Sequence, residues 1–224
     1  MAANKIARNY KKYVNPNKAT DIYKIKPAII KDLTPFLAPI LTRLFNQAID
    51  EHCYPDPLKA TKVIELYKKK ERSNPANYRP ISLLPIIAKL LDTLINNQLM
   101  THLIAHNILS PTAYAFRPNS STTTAIQSVL SHIQQNKNNN KHTLALYIDL
   151  SKAFDTISHD KLISKLKQHN FSAKAVAFFK SYLTNRTQTT HTQHACSDIK
   201  TITHGIPQGS SLSPTLFLLF YKTR

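Results

Sequence analysis

Leu144 to Asp155 reads LALYIDLSKAFD, and Gly205 to Pro214 reads GIPQGSSLSP. Leu144 to Ile148 is an almost wholly apolar run, which predicts a buried central strand. Asp149 closes that strand, where a carboxylate is costly to bury unless something cationic meets it. A metal ion would meet it, since enzymes that transfer phosphoryl groups hold two Mg²⁺ ions between carboxylates and substrate phosphates. Taken in isolation, however, an Asp followed by Leu-Ser-Lys is first a turn or a helix cap. Asp155, six residues on and past the turn, serves equally to cap or brace the next helix. Gly205 and Gly209 are the only two glycines in the chain, so GIPQG is where a missing Cβ lets backbone approach closely.

Composition narrows the partner. Thirty Lys and Arg against twelve Asp and Glu give a net charge of +18 over 224 residues, a field that draws polyanions from a distance. Nucleic acid leads, because a membrane surface would call for a basic amphipathic helix or a lipidation signal, and MAANKIARNY offers neither. At 42% hydrophobic residues the chain can bury a core. Cys53 and Cys196 stand far apart, without a disulfide framework or a Cys-x-x-Cys zinc pattern. With no signal peptide, an intracellular protein is expected, cytoplasmic or nuclear.

Residues 1–26 are basic, contain Asn-Pro and lack a sustained apolar period, and so read as an N-terminal extension. From Pro27 to Ile49 apolar residues recur at helical spacing, although Pro35 and Pro39 should break or kink the run into one or two helices. Lys62 to Tyr67 is strand-like and leads into the charged loop Lys68 to Arg72. An amphipathic helix is predicted from Ile86 to Leu103, and another from Ser120 to Gln135 behind hydroxyl caps. Gln134 to Lys141 reads as a polar surface connection. Ser158 can cap a helix with Asp160 in its first turn, Ala173 to Leu183 is a further helix, and Thr-rich Gln188 to Thr203 suggests a hairpin.

Six segments in order lift these separate signals: Lys62 to Ile64, Asn77 to Leu84 (NYRPISLL), Ala115 to Thr122 (AFRPNSST), Tyr147 to Asp155, Ser181 to Arg186 (SYLTNR) and Gly205 to Pro214. With them the chain, from about Lys18 to Phe220, resembles the reverse transcriptases of non-long-terminal-repeat, jockey-like retrotransposons. The resemblance implies an α+β right-hand polymerase, with fingers at about 27–141 and an incomplete palm at about 142–224. It implies an RNA-directed DNA polymerase working on an RNA template, a DNA primer and deoxynucleoside triphosphates, with Mg²⁺ and no membrane. Asp149 would be the catalytic, metal-binding carboxylate. Phe154 would sit under the sugar as a gate against the 2′-OH, unless it is an ordinary core aromatic. Backbone amides from Leu150 to Phe154 would cradle the triphosphate. Arg79, with Lys69 or a neighbour in the Lys68 to Lys70 run, would clamp phosphates. Gln208 would reach the incoming nucleotide, Gly205 and Gly209 would let the loop pass close to nucleic acid, and Arg117 would touch the template or form an internal salt bridge.

Departures accompany the match. Ala115 stands where the family often has Gly, and Glu65 and Lys68 to Glu71 replace a Pro- and Gly-containing finger loop. The family continues after Leu216 to Phe220 into a hairpin with paired aspartates, whereas this chain reads Tyr221-Lys222-Thr223-Arg224, so a truncated, catalytically incomplete copy is expected. Two other readings are a non-catalytic, basic RNA-binding remnant and a two-metal nuclease using Asp149, Asp155 and Asp160, the last leaving GIPQGSSLSP unused.

Overall fold

The computed structural model describes residues 19–192 and 195–221. Helix α1 (Pro27–Asp50) leads to a short 3-10 turn at Asp56–Leu58, and strand β1 (Ala60–Tyr67) pairs with β2 (Tyr78–Leu83). Helices α2 (Ile86–Ala105), α3 (Thr122–Asn138), α4 (His159–Gln168) and α5 (Ala173–Leu183) follow, then strands β3 (Arg186–His191) and β4 (Lys200–Ile202) and helix α6 (Ser213–Tyr221). The fold is α+β. One sheet has the order β2-β1-β3-β4, with β1 antiparallel to β2, parallel to β3, and β3 antiparallel to β4.

Helix α1 runs through both prolines without a break. Its core face, Ile30, Thr34, Ala38, Leu41, Phe45 and Ala48, is buried, while Pro35 and Pro39 lie on the exposed side. There the carbonyls of Lys31 and Pro35, which lose their ladder donors to proline, can take water instead. Packing of the opposite face overrides the two proline penalties. The segment before α1 is also tied down from Asp21 on. Asp21 is buried, and its carboxylate accepts from the N–H of Tyr23 and from that of Ile86, both at 2.9 Å, the latter at an otherwise open α2 terminus.

One core joins α1, α2, α4, α5 and α6, with Tyr54, Leu91, Leu94, Leu103 and Leu162 fully buried. The stretch from Ser110 to Thr156 contributes no buried residue. Within it α3 has a reciprocal cap, Ser121 Oγ accepting from the Thr124 N–H while Thr124 Oγ1 accepts from the Ser121 N–H. The helix continues to Asn138, so Gln134 to Asn138 of the expected polar connection is helical.

Leu144 to Ile148 is not a buried central strand. It forms no strand and is exposed, Leu144 at 97%, Leu146 at 83% and Ile148 at 79%. An apolar run becomes a strand only beside a partner that takes its N–H and C=O groups, and no described strand lies alongside. The expected hairpin is present as β3 and β4, with Arg186 opposite Ile202 and Gln188 opposite Lys200.

Candidate nucleotide-binding cleft

A cleft of about 1040 Å³ opens where three distant segments meet: the β1–β2 hairpin, the turn from Asp149 to Asp155, and the loop from Pro207 to Ser210. The hairpin projects because its ends leave the core: Glu65 to Tyr67 are exposed, and Arg72 packs over the Tyr67 ring at 5.0 Å. It delivers Lys68 and Arg79 to the cleft wall. The turn delivers Asp149, Leu150, Lys152, Phe154 and Asp155. Lys152 takes a left-handed φ of 53°, and its carbonyl accepts the Asp155 N–H at 2.8 Å, which closes the turn.

The GIPQG loop is held from two sides. Gly205 N–H donates to Ile157 O at 2.7 Å and Ile206 N–H to Phe154 O at 2.9 Å, so the loop is zipped to the turn that follows Asp149. Across the cleft floor, the Ser82 N–H on β2 donates to Gln208 O at 2.7 Å. The glycines answer to these contacts. A Cβ on Gly205 (φ +81°) would lie 2.8 Å from Asp155 O, and one on Gly209 (φ +143°) only 2.3 Å from Ser82 O. The backbone that both glycines admit is the chain's own, and the close approach expected of nucleic acid is accounted for inside the fold. Gly209 still lines the cleft, whereas Gly205 does not.

Of the other expected site residues, Asp149, Leu150, Phe154, Arg79 and Gln208 line the cleft. Asp149 is exposed, and Gln208 Nε2 donates to Asp155 Oδ1 at 3.0 Å. Phe154 is half-buried, stacked on Phe217 at 5.0 Å between ring centres, so it is both a packed aromatic and a cleft wall. Lys69 does not line the cleft; its neighbour Lys68 does. Both lie beyond the end of β1, where the chain bends at Lys69 and Lys70, and the Lys run could not reveal which one faces inward. Arg117 is also absent from the lining, and its guanidinium donates to Ser110 O at 2.8 Å, an internal contact to a carbonyl rather than a salt bridge.

Three cations, Lys68, Arg79 and Lys152, and three carboxylates, Glu65, Asp149 and Asp155, share the lining. The cleft thus offers both phosphate-binding and cation-binding chemistry. Among the described residues, though, no three His, Cys, Asp or Glu side chains converge to hold a metal ion. Asp149 and Asp155 supply only part of the donor set that two-metal chemistry needs.

Beneath the loop lies a buried polar network that the sequence motifs did not assign. Asp92 of α2 is fully buried and accepts from Tyr54 Oη at 2.8 Å and from Ser210 Oγ. Tyr182 Oη donates to Ser210 Oγ at 3.2 Å. Arg186 is also fully buried, its Nη1 donating to Tyr182 O at 3.2 Å while its Nε and Nη2 find no hydrogen-bond partner among the described residues. An Asp inside the apolar run Leu90 to Ile95 was the available signal, since such a residue persists only when its oxygens are satisfied.

Burial raises the Asp92 carboxyl above its ordinary range, against the opposing pull of Ser210, Arg186 and Tyr54. An unfolded Asp loses its proton near pH 4, and the folded one does so at higher pH. Between those points the folded state holds the extra proton, so the Asp92 contribution to stability falls as pH rises and levels off above the folded value. Urea midpoints of the unsubstituted chain, taken relative to Asp92→Asn from pH 4 upward, should fall across that window. A difference that grows with pH would contradict the assignment.

The reverse transcriptase (RNA-dependent DNA polymerase) family matches residues 67–223. The chain is 31% identical over 204 residues to a probable RNA-directed DNA polymerase from transposon BS of Drosophila melanogaster, covering 91% of this chain and 22% of the relative. It is 30% identical over 181 residues to the RNA-directed DNA polymerase from mobile element jockey of the same organism, covering 80% of this chain and 20% of the relative. A third relative, the Pol polyprotein of the type-1 retrotransposable element R1 of Bradysia coprophila, is 29% identical over 183 residues, 79% of this chain and 17% of its own length. The chain therefore spans about a fifth of the length of these relatives. The chain belongs to the reverse transcriptase family, among the RNA-directed DNA polymerases of non-long-terminal-repeat retrotransposons.

Proposed function

We propose that the chain forms the fingers and the first part of the palm of a right-hand polymerase, and that its cleft binds a deoxynucleoside triphosphate against an RNA template and primer. One observation carries this reading: Arg79, the turn from Asp149 to Phe154, and Gln208 come from three segments far apart in sequence and line one cleft. Arg79, with its forked guanidinium, and Lys68 would take the phosphates, while amides of the turn would cradle them. Phe154, fixed by its stack on Phe217, would stand beneath the sugar. Asp149 would contribute one ligand to Mg²⁺, and the remaining ligands would come from phosphates and from donors that the described residues do not provide. Mg²⁺ would neutralise phosphate charge there.

Equilibrium binding of a fluorescent deoxynucleoside triphosphate, with template–primer and Mg²⁺, tests the proposal. Arg79→Ala and Asp149→Asn should each weaken nucleotide binding by about tenfold or more, because each removes a charge-assisted contact. Binding that ignores both substitutions would sink it. Phe154→Ala should narrow the preference for deoxynucleotides over ribonucleotides in competition, and an unchanged preference would remove Phe154 from the sugar site.

RNA binding is expected to be governed by phosphate contacts, given the net charge of +18. Its affinity should fall steeply with salt, with a log–log slope of several units. Salt-dependent RNA binding with no nucleotide binding would instead favour a basic RNA-binding remnant.

A further inference from the structure

We propose that Asp92 is a positioning residue for nucleotide binding, acting through Ser210 to fix where Gln208 and Gly209 stand along the cleft. Ser210 lines the cleft and Asp92 does not, so any influence of Asp92 on a ligand must pass through that hydroxyl. This role rests on the function proposed above.

A serine hydroxyl has one donor and two acceptor positions. In Ser210 all three are used: it donates to Asp92 Oδ2, and accepts from Tyr182 Oη at 3.2 Å and from the Leu212 N–H at 3.0 Å. A saturated hydroxyl in a buried site permits a single orientation of its residue. Ser210 is buried, and it stands two positions after Gln208, a Cα–Cα reach of about 7 Å at most. On the N-terminal side Pro207 O accepts from Ser213 Oγ at 2.8 Å and from the Ser210 N–H at 3.2 Å. The Ser82 N–H holds Gln208 O. The loop thus hangs between β2 and α2, and Asp92 is the anchor on α2. A carboxylate suits this place because it accepts from two hydroxyls at once, those of Tyr54 and Ser210. An Asn would turn an N–H₂ toward one of them. Where that one is Ser210, its own hydrogen is left without an acceptor.

The test compares Ser210→Ala and Asp92→Asn with Val176→Ala, a core substitution on α5 that does not line the cleft, in the full 224-residue chain. Two quantities are read: amide hydrogen exchange from Gln208 to Ser211, and the dissociation constant of a fluorescent deoxynucleoside triphosphate with template–primer and Mg²⁺. Ser210→Ala should speed exchange at those amides and weaken nucleotide binding by about tenfold, the loss of one well-placed hydrogen bond. Affinity for RNA alone should stay unchanged. Val176→Ala should lower stability while leaving loop exchange and nucleotide affinity near those of the unsubstituted chain. If Asp92→Asn does not fold, Ser210→Ala decides. Loop exchange in Ser210→Ala no faster than in Val176→Ala would overturn the proposal. If the unsubstituted chain binds no nucleotide, the proposed function fails, and the exchange comparison still decides whether Asp92 and Ser210 anchor the loop.

Discussion

Gly209→Ala is expected to lower folding stability by about 3–5 kcal/mol, from two separate strains. At φ +143° an L-residue is in a region that side chains rarely adopt, and the new Cβ would lie 2.3 Å from the Ser82 carbonyl oxygen. That oxygen belongs to the backbone of β2, which is paired with β1 from Lys62↔Leu83 to Tyr67↔Tyr78 and cannot swing aside as a flexible side chain would. Relief requires the loop to lift off Ser82, breaking the hydrogen bond from the Ser82 N–H to Gln208 O. Gly205→Ala should cost less. Its φ of +81° is nearer the left-handed helical region, and the closest backbone atom is 2.8 Å away. Urea denaturation of both variants checks the order. A Gly209→Ala midpoint at or above that of Gly205→Ala would show that the loop does not sit against β2 as described.

Asp92→Ala should be comparably severe, by about 3–5 kcal/mol, because it removes one member of a buried charged network and strands the others. The hydroxyls of Tyr54 and Ser210 would lose their shared acceptor, and Arg186, with two nitrogens unpartnered among the described residues, would lose the nearby carboxylate. Tyr54 and Tyr182 are both held well above the ordinary tyrosine pKa, by burial first and by the charge of Asp92 next. Neither can compensate by ionising near neutrality. The replacement also leaves a void in a helix buried from Leu90 to Ile95. Equilibrium unfolding measures the loss directly, and a change below about 1 kcal/mol would mean that the network contributes little beyond packing.

The sequence by itself determined the elements whose cause is local. Apolar spacing marked α2, Ser158 and Ser172 stand at the N-caps of α4 and α5, and KVIELY became β1. The ordered motifs carried the family, since Arg79, Asp149, Phe154, Gln208 and Gly209 could be named from them, and all line one cleft. What depends on a distant partner was not written in any window. Pro35 and Pro39 looked like breaks until the core took the opposite face of α1, and Leu144 to Ile148 looked like a buried strand although no described strand pairs with it. Whether Lys68 or Lys69 faces the cleft followed from how the hairpin leaves the sheet, and Arg117 turned inward to Ser110. The two glycines were legible as a close approach, but only the fold supplied what approaches: the backbones of Asp155 and Ser82. Asp92 lay unremarked in an apolar run because its partners, Tyr54 and Ser210, are 38 and 118 residues away. Propensity and spacing act within a few residues, while hydrogen-bond satisfaction, register and burial are settled by whichever segments tertiary packing brings together.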